Sequence, residues 1–217
     1  MLVSASSPGE EDNLHHGNLT LLAAATAVAL FGCNQKASEN GPTASNTAEA
    51  KESATRAAAV DHNDPVASAA AAAPESIGSK ATIVQAQADG SMKTLREGSN
   101  GWTCMPDNPQ TPGHDPMCMD ANGLKWAQAW MAHKDPPTGA VGLMYMLEGG
   151  SDASNTDPYG TKPNDGQWVE TGPHVMVVGS KEILSGYPSG DKPDTKAPYV
   201  MFAGTPYAHL MIPIGNS

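Results

Sequence analysis

The chain is poor in basic charge. It carries 12 Lys and Arg residues against 23 Asp and Glu, and its formal net charge is -11. No three basic residues stand in a cluster. Proteins that bind nucleic acid present grouped Lys and Arg to the phosphate backbone, so this charge distribution excludes nucleic acid as a partner.

Signatures of catalysis and redox chemistry are also missing. The sequence has no G-x-S-x-G turn and no H-E-x-x-H helix, which mark serine hydrolases and zinc proteases. Its three cysteines form neither a C-x-x-C pair, typical of redox proteins, nor a C-x-x-C-H site for haem. These absences weigh against an enzyme without excluding one, and they favour a binding or structural module.

One apolar block, residues 19–31, is too short to span a bilayer, which takes about 20 residues, but has the length of a signal-peptide core. It runs into Leu30-Phe31-Gly32-Cys33. This motif resembles the lipobox of bacterial lipoprotein precursors, in which a small residue precedes the cysteine and an apolar residue stands three positions before it.

The resemblance implies that Cys33 becomes the diacylated first residue of an envelope lipoprotein, with the membrane as its partner through the lipid. Asn34, in the second mature position, then favours the outer membrane over the inner one. The alternative is a core helix that happens to end at a cysteine.

The chain is expected to divide into a signal peptide (1–33), a disordered linker (34–74) and a folded domain (75–217). The linker has no aromatic residue and only two larger aliphatic ones, Val60 and Val66, so it offers little apolar surface to bury. The folded part contains Gly101-Trp102-Thr103-Cys104, which resembles exported bacterial proteins of unknown function.

The folded part is predicted to be an α+β domain with a mainly antiparallel sheet and one principal amphipathic helix. The turn Ala88-Asp89-Gly90 between two β-prone runs is typical of a hairpin. Strands are predicted at residues 81–85, 91–95, 141–147, 168–170, 174–178, 199–202 and 208–214.

The helix is predicted to begin near Asp120 or Asn122, either of which can cap it, and to end before Asp135. Apolar residues then recur on one side of it, and His133 and Lys134 stand in the last turn.

Cys104 and Cys118 bound a proline-rich loop and are predicted to form a disulfide. With Cys33 taken by lipid, an exported chain is left with an even pair of cysteines in an oxidising compartment. Two free thiols are the alternative.

Two segments near the C-terminus share a His-x-Met pattern, His174 with Met176 and His209 with Met211. Side chains alternate along a strand, so each segment presents an imidazole and a thioether on one face. If the two strands pair, four ligands of the kind preferred by Cu(I) can converge, and copper is the one cofactor that the sequence indicates. The alternative is core packing, since methionine fills irregular interiors well.

Two further alternatives stay open. The long loop at residues 148–167 carries the oxygen donors Asp152, Asn155, Asp157 and Asp165, which suit Ca²⁺, although their spacing is not that of an EF-hand and solvated turns are expected. A metal-dependent or hydrolytic enzyme would use the histidines with His114-Asp115 or Ser151-Asp152. The sequence does not identify a protein or small-molecule ligand.

Overall fold

A computed structural model describes residues 60–215, which contain three α-helices, one 3-10 helix and ten strands. The predictions for the signal peptide, for Cys33 and for most of the linker concern residues outside this range. The helices are α1 (Pro65–Ala71), α2 (Glu75–Gly78) and α3 (Ala121–Met131), with the 3-10 helix at Glu182–Leu184. The strands are β1 (Thr82–Ala86), β2 (Met92–Arg96), β3 (Thr103–Met105), β4 (Met117–Met119), β5 (Gly142–Met146), β6 (Gly150–Asp152), β7 (Val169–Thr171), β8 (His174–Val178), β9 (Tyr199–Met201) and β10 (His209–Pro213).

Eight of the strands form one sheet in the order β2-β1-β3-β4-β5-β8-β10-β9, while β6 and β7 pair separately. Only β1 and β3 run parallel; the other neighbours in the sheet are antiparallel. The mainly antiparallel sheet expected from the sequence is therefore present. The neighbouring strands β5, β8 and β10 come from distant parts of the chain.

Local signals placed several elements correctly. β1 and β2 form the expected antiparallel hairpin around Gly90, whose φ of 80° suits glycine. The Asp120 side chain caps α3, because its Oδ1 accepts hydrogen bonds from the Asn122 and Gly123 amides at 3.0 and 2.7 Å.

The end of α3 differs from the prediction. The helix stops at Met131, and His133 follows it in the left-handed region with a φ of 54°. His133 thereby ends the helix, a role usually taken by glycine or asparagine. It is exposed, and its ring stacks on Tyr159 with centroids 4.0 Å apart.

The last part of the predicted linker is helical and packed. Ala69, Ala72 and Ala73 are fully buried in a cluster that includes Ile83 and the two cysteines of β3 and β4. The Ala72 carbonyl also accepts a hydrogen bond from the Leu147 amide at 3.0 Å. Alanine offers little apolar area but allows backbones to approach closely, and composition alone does not reveal such a contact.

The two faces of the sheet are covered by different helices. Successive residues of a strand point to opposite faces, so Cys118 and Tyr145 lie towards α1 while Met119 and Met144 lie on the other side. That second face packs against α3 through Trp126 and Ala127, and it carries most of the buried methionines.

The cysteines lie in strands rather than at the ends of an irregular loop. Cys104 of β3 stands directly opposite Cys118 of β4, and a disulfide joins them. The prolines confine irregular structure to residues 106–116 between the strands. The predicted loop at 148–167 likewise contains a short strand, β6, which pairs with β7.

Within residues 60–215, none of the helices combines the length and the apolar composition needed to cross a membrane.

Replacing Cys104 and Cys118 together with alanine should lower the free energy of unfolding by about 3 kcal/mol, the chain-entropy value for a loop of about 15 residues. Denaturant titration measures this change.

A chain that begins at residue 60 and keeps both cysteines should contain no free thiol. Thiol titration under denaturing, non-reducing conditions measures this. Two reactive thiols in freshly purified periplasmic material would refute the disulfide.

A chain shortened to begin at residue 75 should be less stable than one beginning at residue 60, because it lacks α1 and exposes the cluster around Ile83. We expect a loss of at least about 2 kcal/mol, which lowers the melting temperature by about 4–8 °C in a domain of this size. Calorimetry of the two chains provides the comparison. Equal melting temperatures would show that α1 adds nothing to the domain.

Candidate functional site

The two histidines of the His-x-Met segments begin neighbouring strands. His174 is the first residue of β8 and follows a proline turn, and His209 is the first residue of β10 and follows another. Both are buried, with only 1% of His174 and 2% of His209 exposed. The repeated sequence pattern thus gives the same local structure twice.

Each imidazole is held by the backbone two residues before it. His174 Nδ1 lies 2.8 Å from the Gly172 carbonyl oxygen, and His209 Nδ1 lies 2.9 Å from that of Tyr207. A carbonyl oxygen only accepts hydrogen bonds, so Nδ1 carries the proton and Nε2 carries a lone pair. Both Nε2 atoms are buried, and neither has a hydrogen-bond partner among residues 60–215.

Burial keeps both rings uncharged. It lowers the pKa of His174 and of His209 to about 4, because the charged imidazolium would lose its hydration. The bonds to Gly172 and Tyr207 oppose this shift, and His174 adds slightly to the lowering at His209. The lone pairs are therefore available at neutral pH.

A row of methionines crosses the middle of the sheet. Met119 stands opposite Met144, Met144 opposite Met176, and Met176 opposite Met211, so β4, β5, β8 and β10 each contribute one residue. Tyr199 of β9 ends the row. Because paired residues in a sheet share a face, these thioethers lie side by side on the α3 face.

The register decides how the histidines lie relative to this row. Met176 pairs directly with Met211, whereas His174 pairs with Pro213. The strands are antiparallel, so His174 and His209 flank the methionine pair from opposite ends and are not directly opposite each other. All four residues line one cavity.

Aromatic residues and one glycine form the walls around the histidines. The His209 ring meets Trp126 and Phe202 in edge-to-face contacts, with centroids 5.3 and 5.5 Å apart. A Cβ atom on Gly150 would lie 2.9 Å from the Met146 methyl and 3.4 Å from His174 Cε1, so any other residue here would have to displace the flexible end of Met146. The sequence pattern predicted Trp126 on the apolar side of the helix, in the core, but predicted no place at a site for Trp126, Phe202 or Gly150.

The cavity has a volume of about 670 Å³. It is lined by the methionine-rich face of the sheet, by β6 and by part of the segment 106–115. Eight methionines line it: Met105, Met117, Met131, Met144, Met146, Met176, Met201 and Met211. Polar and charged side chains also line it, among them Asp107, Thr111, Asp115, Ser151 and Asp152.

Two carboxylates of the cavity, Asp115 and Asp152, differ in their hydrogen-bond partners. Asp115 accepts hydrogen bonds from the Ser151 amide at 2.7 Å and from the Thr111 hydroxyl. Burial raises the pKa of Asp115 despite these bonds. Burial, together with the nearby charge of Asp115, raises the pKa of Asp152 to about 7.

The residues considered for Ca²⁺ are not grouped as ligands. Asn155 is buried, and its amide nitrogen bridges the Gly190 and Val200 carbonyls at 2.6 and 3.1 Å. Asp165 instead pairs with Lys192 at 2.9 Å. In the described part of the chain, no three His, Cys, Asp or Glu side chains form a group able to hold a metal ion.

The residues considered for hydrolysis are only partly brought together. His114 Nδ1 lies 3.4 Å from Asp107 Oδ2, and its ring stacks on His62 with centroids 3.8 Å apart. Asp115 and Ser151 lie at the cavity together with the buried histidines.

No protein-family model, no curated protein and no solved structure matches this chain.

Proposed function

We propose that the chain is a lipid-anchored protein of the bacterial cell envelope whose folded part binds Cu(I). The proposed ligands are His174, Met176, His209 and Met211. The observation that carries the proposal is the pair of buried Nε2 atoms without hydrogen-bond partners at one methionine-lined cavity.

The state of the imidazoles supports metal ligation. Histidines that bind metals commonly donate their other ring N–H to a backbone carbonyl, which fixes the tautomer and the ring orientation. His174 and His209 both make this bond. A buried polar atom left unpaired costs about 1–3 kcal/mol, and a bound metal would offset that cost at two places at once.

The thioethers support a soft ion. Methionine sulfur favours Cu(I), whereas Ca²⁺ and Mg²⁺ prefer oxygen ligands. Met176 and Met211 are directly paired, with one histidine beyond each. The register places the two histidines four positions apart along the paired strands, so an ion bound by all four side chains requires both imidazoles to lean towards the Met176–Met211 pair. We propose binding rather than catalysis for this site.

Membrane anchoring rests on the lipobox alone. The resemblance at residues 30–33 supports lipidation of Cys33, and Asn34 supports delivery to the outer membrane. The domain would then present its metal site in the periplasm.

Titration of the metal-free chain with Cu(I), in competition with a chromogenic Cu(I) chelator, should give one site per chain. Met211→Leu should weaken binding by at least about tenfold, or 1.4 kcal/mol, because it removes a sulfur ligand while nearly preserving volume. His209→Ala should have a similar or larger effect.

Met92→Leu is the matched control, since Met92 is exposed on β2 and does not line the cavity. It should leave the Cu(I) affinity unchanged. The proposal fails if the chain does not bind Cu(I), or if Met211→Leu and Met92→Leu bind it equally.

Cys33→Ser should release the protein from membranes and block its processing, because the acylated thiol is lost. Fractionation of cells expressing each form measures the membrane-bound share. Equal membrane retention of the variant would contradict lipidation.

A further inference from the structure

The cavity is larger than a metal ion requires. Pockets for small organic molecules measure about 300–1,000 Å³, and this cavity, at about 670 Å³, falls within that range. A Cu(I) ion at the methionine pair would occupy only part of it. The lining of the cavity also includes β6 and part of the segment 106–115.

The charged groups around this space have one sign. Asp107, Asp115 and Asp152 line the cavity, and no Lys or Arg of the described chain does so. The unpaired Nε2 atoms of His174 and His209 are hydrogen-bond acceptors as well. The cavity therefore favours a ligand that is positively charged and donates hydrogen bonds.

Asp152 is the carboxylate left free for such a ligand. Asp115 is occupied by Ser151 and Thr111, and Asp107 accepts the Asp115 amide at 2.6 Å. No hydrogen bond from residues 60–215 reaches the Asp152 side chain.

Asp152 also faces the interior next to a second unpaired group. It lies two residues after Gly150 on β6, on the same side of the strand, and the Gly150 position borders the His174 ring. The buried, unpartnered Nε2 of His174 and the Asp152 carboxylate thus border one space.

Aromatic rings complete the walls. Trp126, Trp130 and Phe202 line the cavity, and the Trp130 indole is fixed by a hydrogen bond from Nε1 to the Pro158 carbonyl at 2.9 Å. Phe202 has a φ of 57°, a strained conformation for a bulky residue, and its amide donates to the Asn155 carbonyl at 2.7 Å. Aromatic faces attract cations.

We propose that the cavity also binds an organic cation, a primary ammonium group on an apolar body. The ammonium pairs with Asp152, and the apolar body packs against Trp126, Trp130 and the methionine side chains. This site shares the cavity with the Cu(I) ligands, but its charged contact, Asp152, is not one of them.

The test compares two probes of nearly equal shape, 2-phenylethylamine and 2-phenylethanol, by calorimetry on the metal-free full chain. The amine should bind at least about tenfold more tightly, because only it carries the charge that Asp152 complements. Asp152→Asn should reduce the amine affinity by at least about tenfold and leave the alcohol unaffected.

Cu(I) affinity is measured on the same variants. Asp152→Asn should still bind Cu(I), which also shows that it is folded, whereas Met211→Leu should lose Cu(I) affinity and keep the amine. The organic-cation site is overturned if the wild-type chain binds amine and alcohol equally or binds neither. It is also overturned if Asp152→Asn binds the amine like wild type, whatever the Cu(I) result.

Discussion

The hydrogen-bond register of β5, β8 and β10 is the constraint on which the cavity depends. It pairs Met144 with Met176 and Met176 with Met211, and it leaves one histidine beyond each end of the last pair. A shift of one residue in either strand would turn its His and Met side chains to the opposite face. The register, and not the individual residues, therefore creates a surface of thioethers and imidazoles.

On that surface the buried Nε2 atoms of His174 and His209 are acceptors that no donor of residues 60–215 meets. Backbone carbonyls fix the protons of His174 and His209 on Nδ1, and burial keeps both rings neutral. Asp152 adds a carboxyl group to the same cavity; its pKa of about 7 leaves it partly ionised at neutral pH, and a bound cation would favour the charged form. Both proposed ligands, Cu(I) and an organic ammonium, follow from this excess of acceptors, and they differ only in which acceptors they use.

Short sequence patterns predicted the structural elements that depend on neighbouring residues. The Asp-Gly turn marked the first hairpin, Asp120 marked the start of α3, and the alternation around His174 and His209 marked their strands and shared faces. The helix α1 was missed because its alanines contribute close approach rather than apolar area. The short strand β6, rich in Gly and Ser, was hidden in a turn-like segment. The cavity itself was beyond prediction, since it requires β4, β5, β8 and β10 to lie side by side, and strand order is set by contacts distant in the chain.

X-ray absorption at the copper edge, on the Cu(I)-loaded chain, examines the proposed ligands directly. The proposed ligands, His174, Met176, His209 and Met211, predict two sulfur and two nitrogen neighbours for the copper. Since Cys104 and Cys118 are joined in a disulfide, the sulfur signal from the folded part would come from methionine. It should fall by half in Met211→Leu. Copper surrounded only by nitrogen and oxygen would contradict a methionine–histidine site.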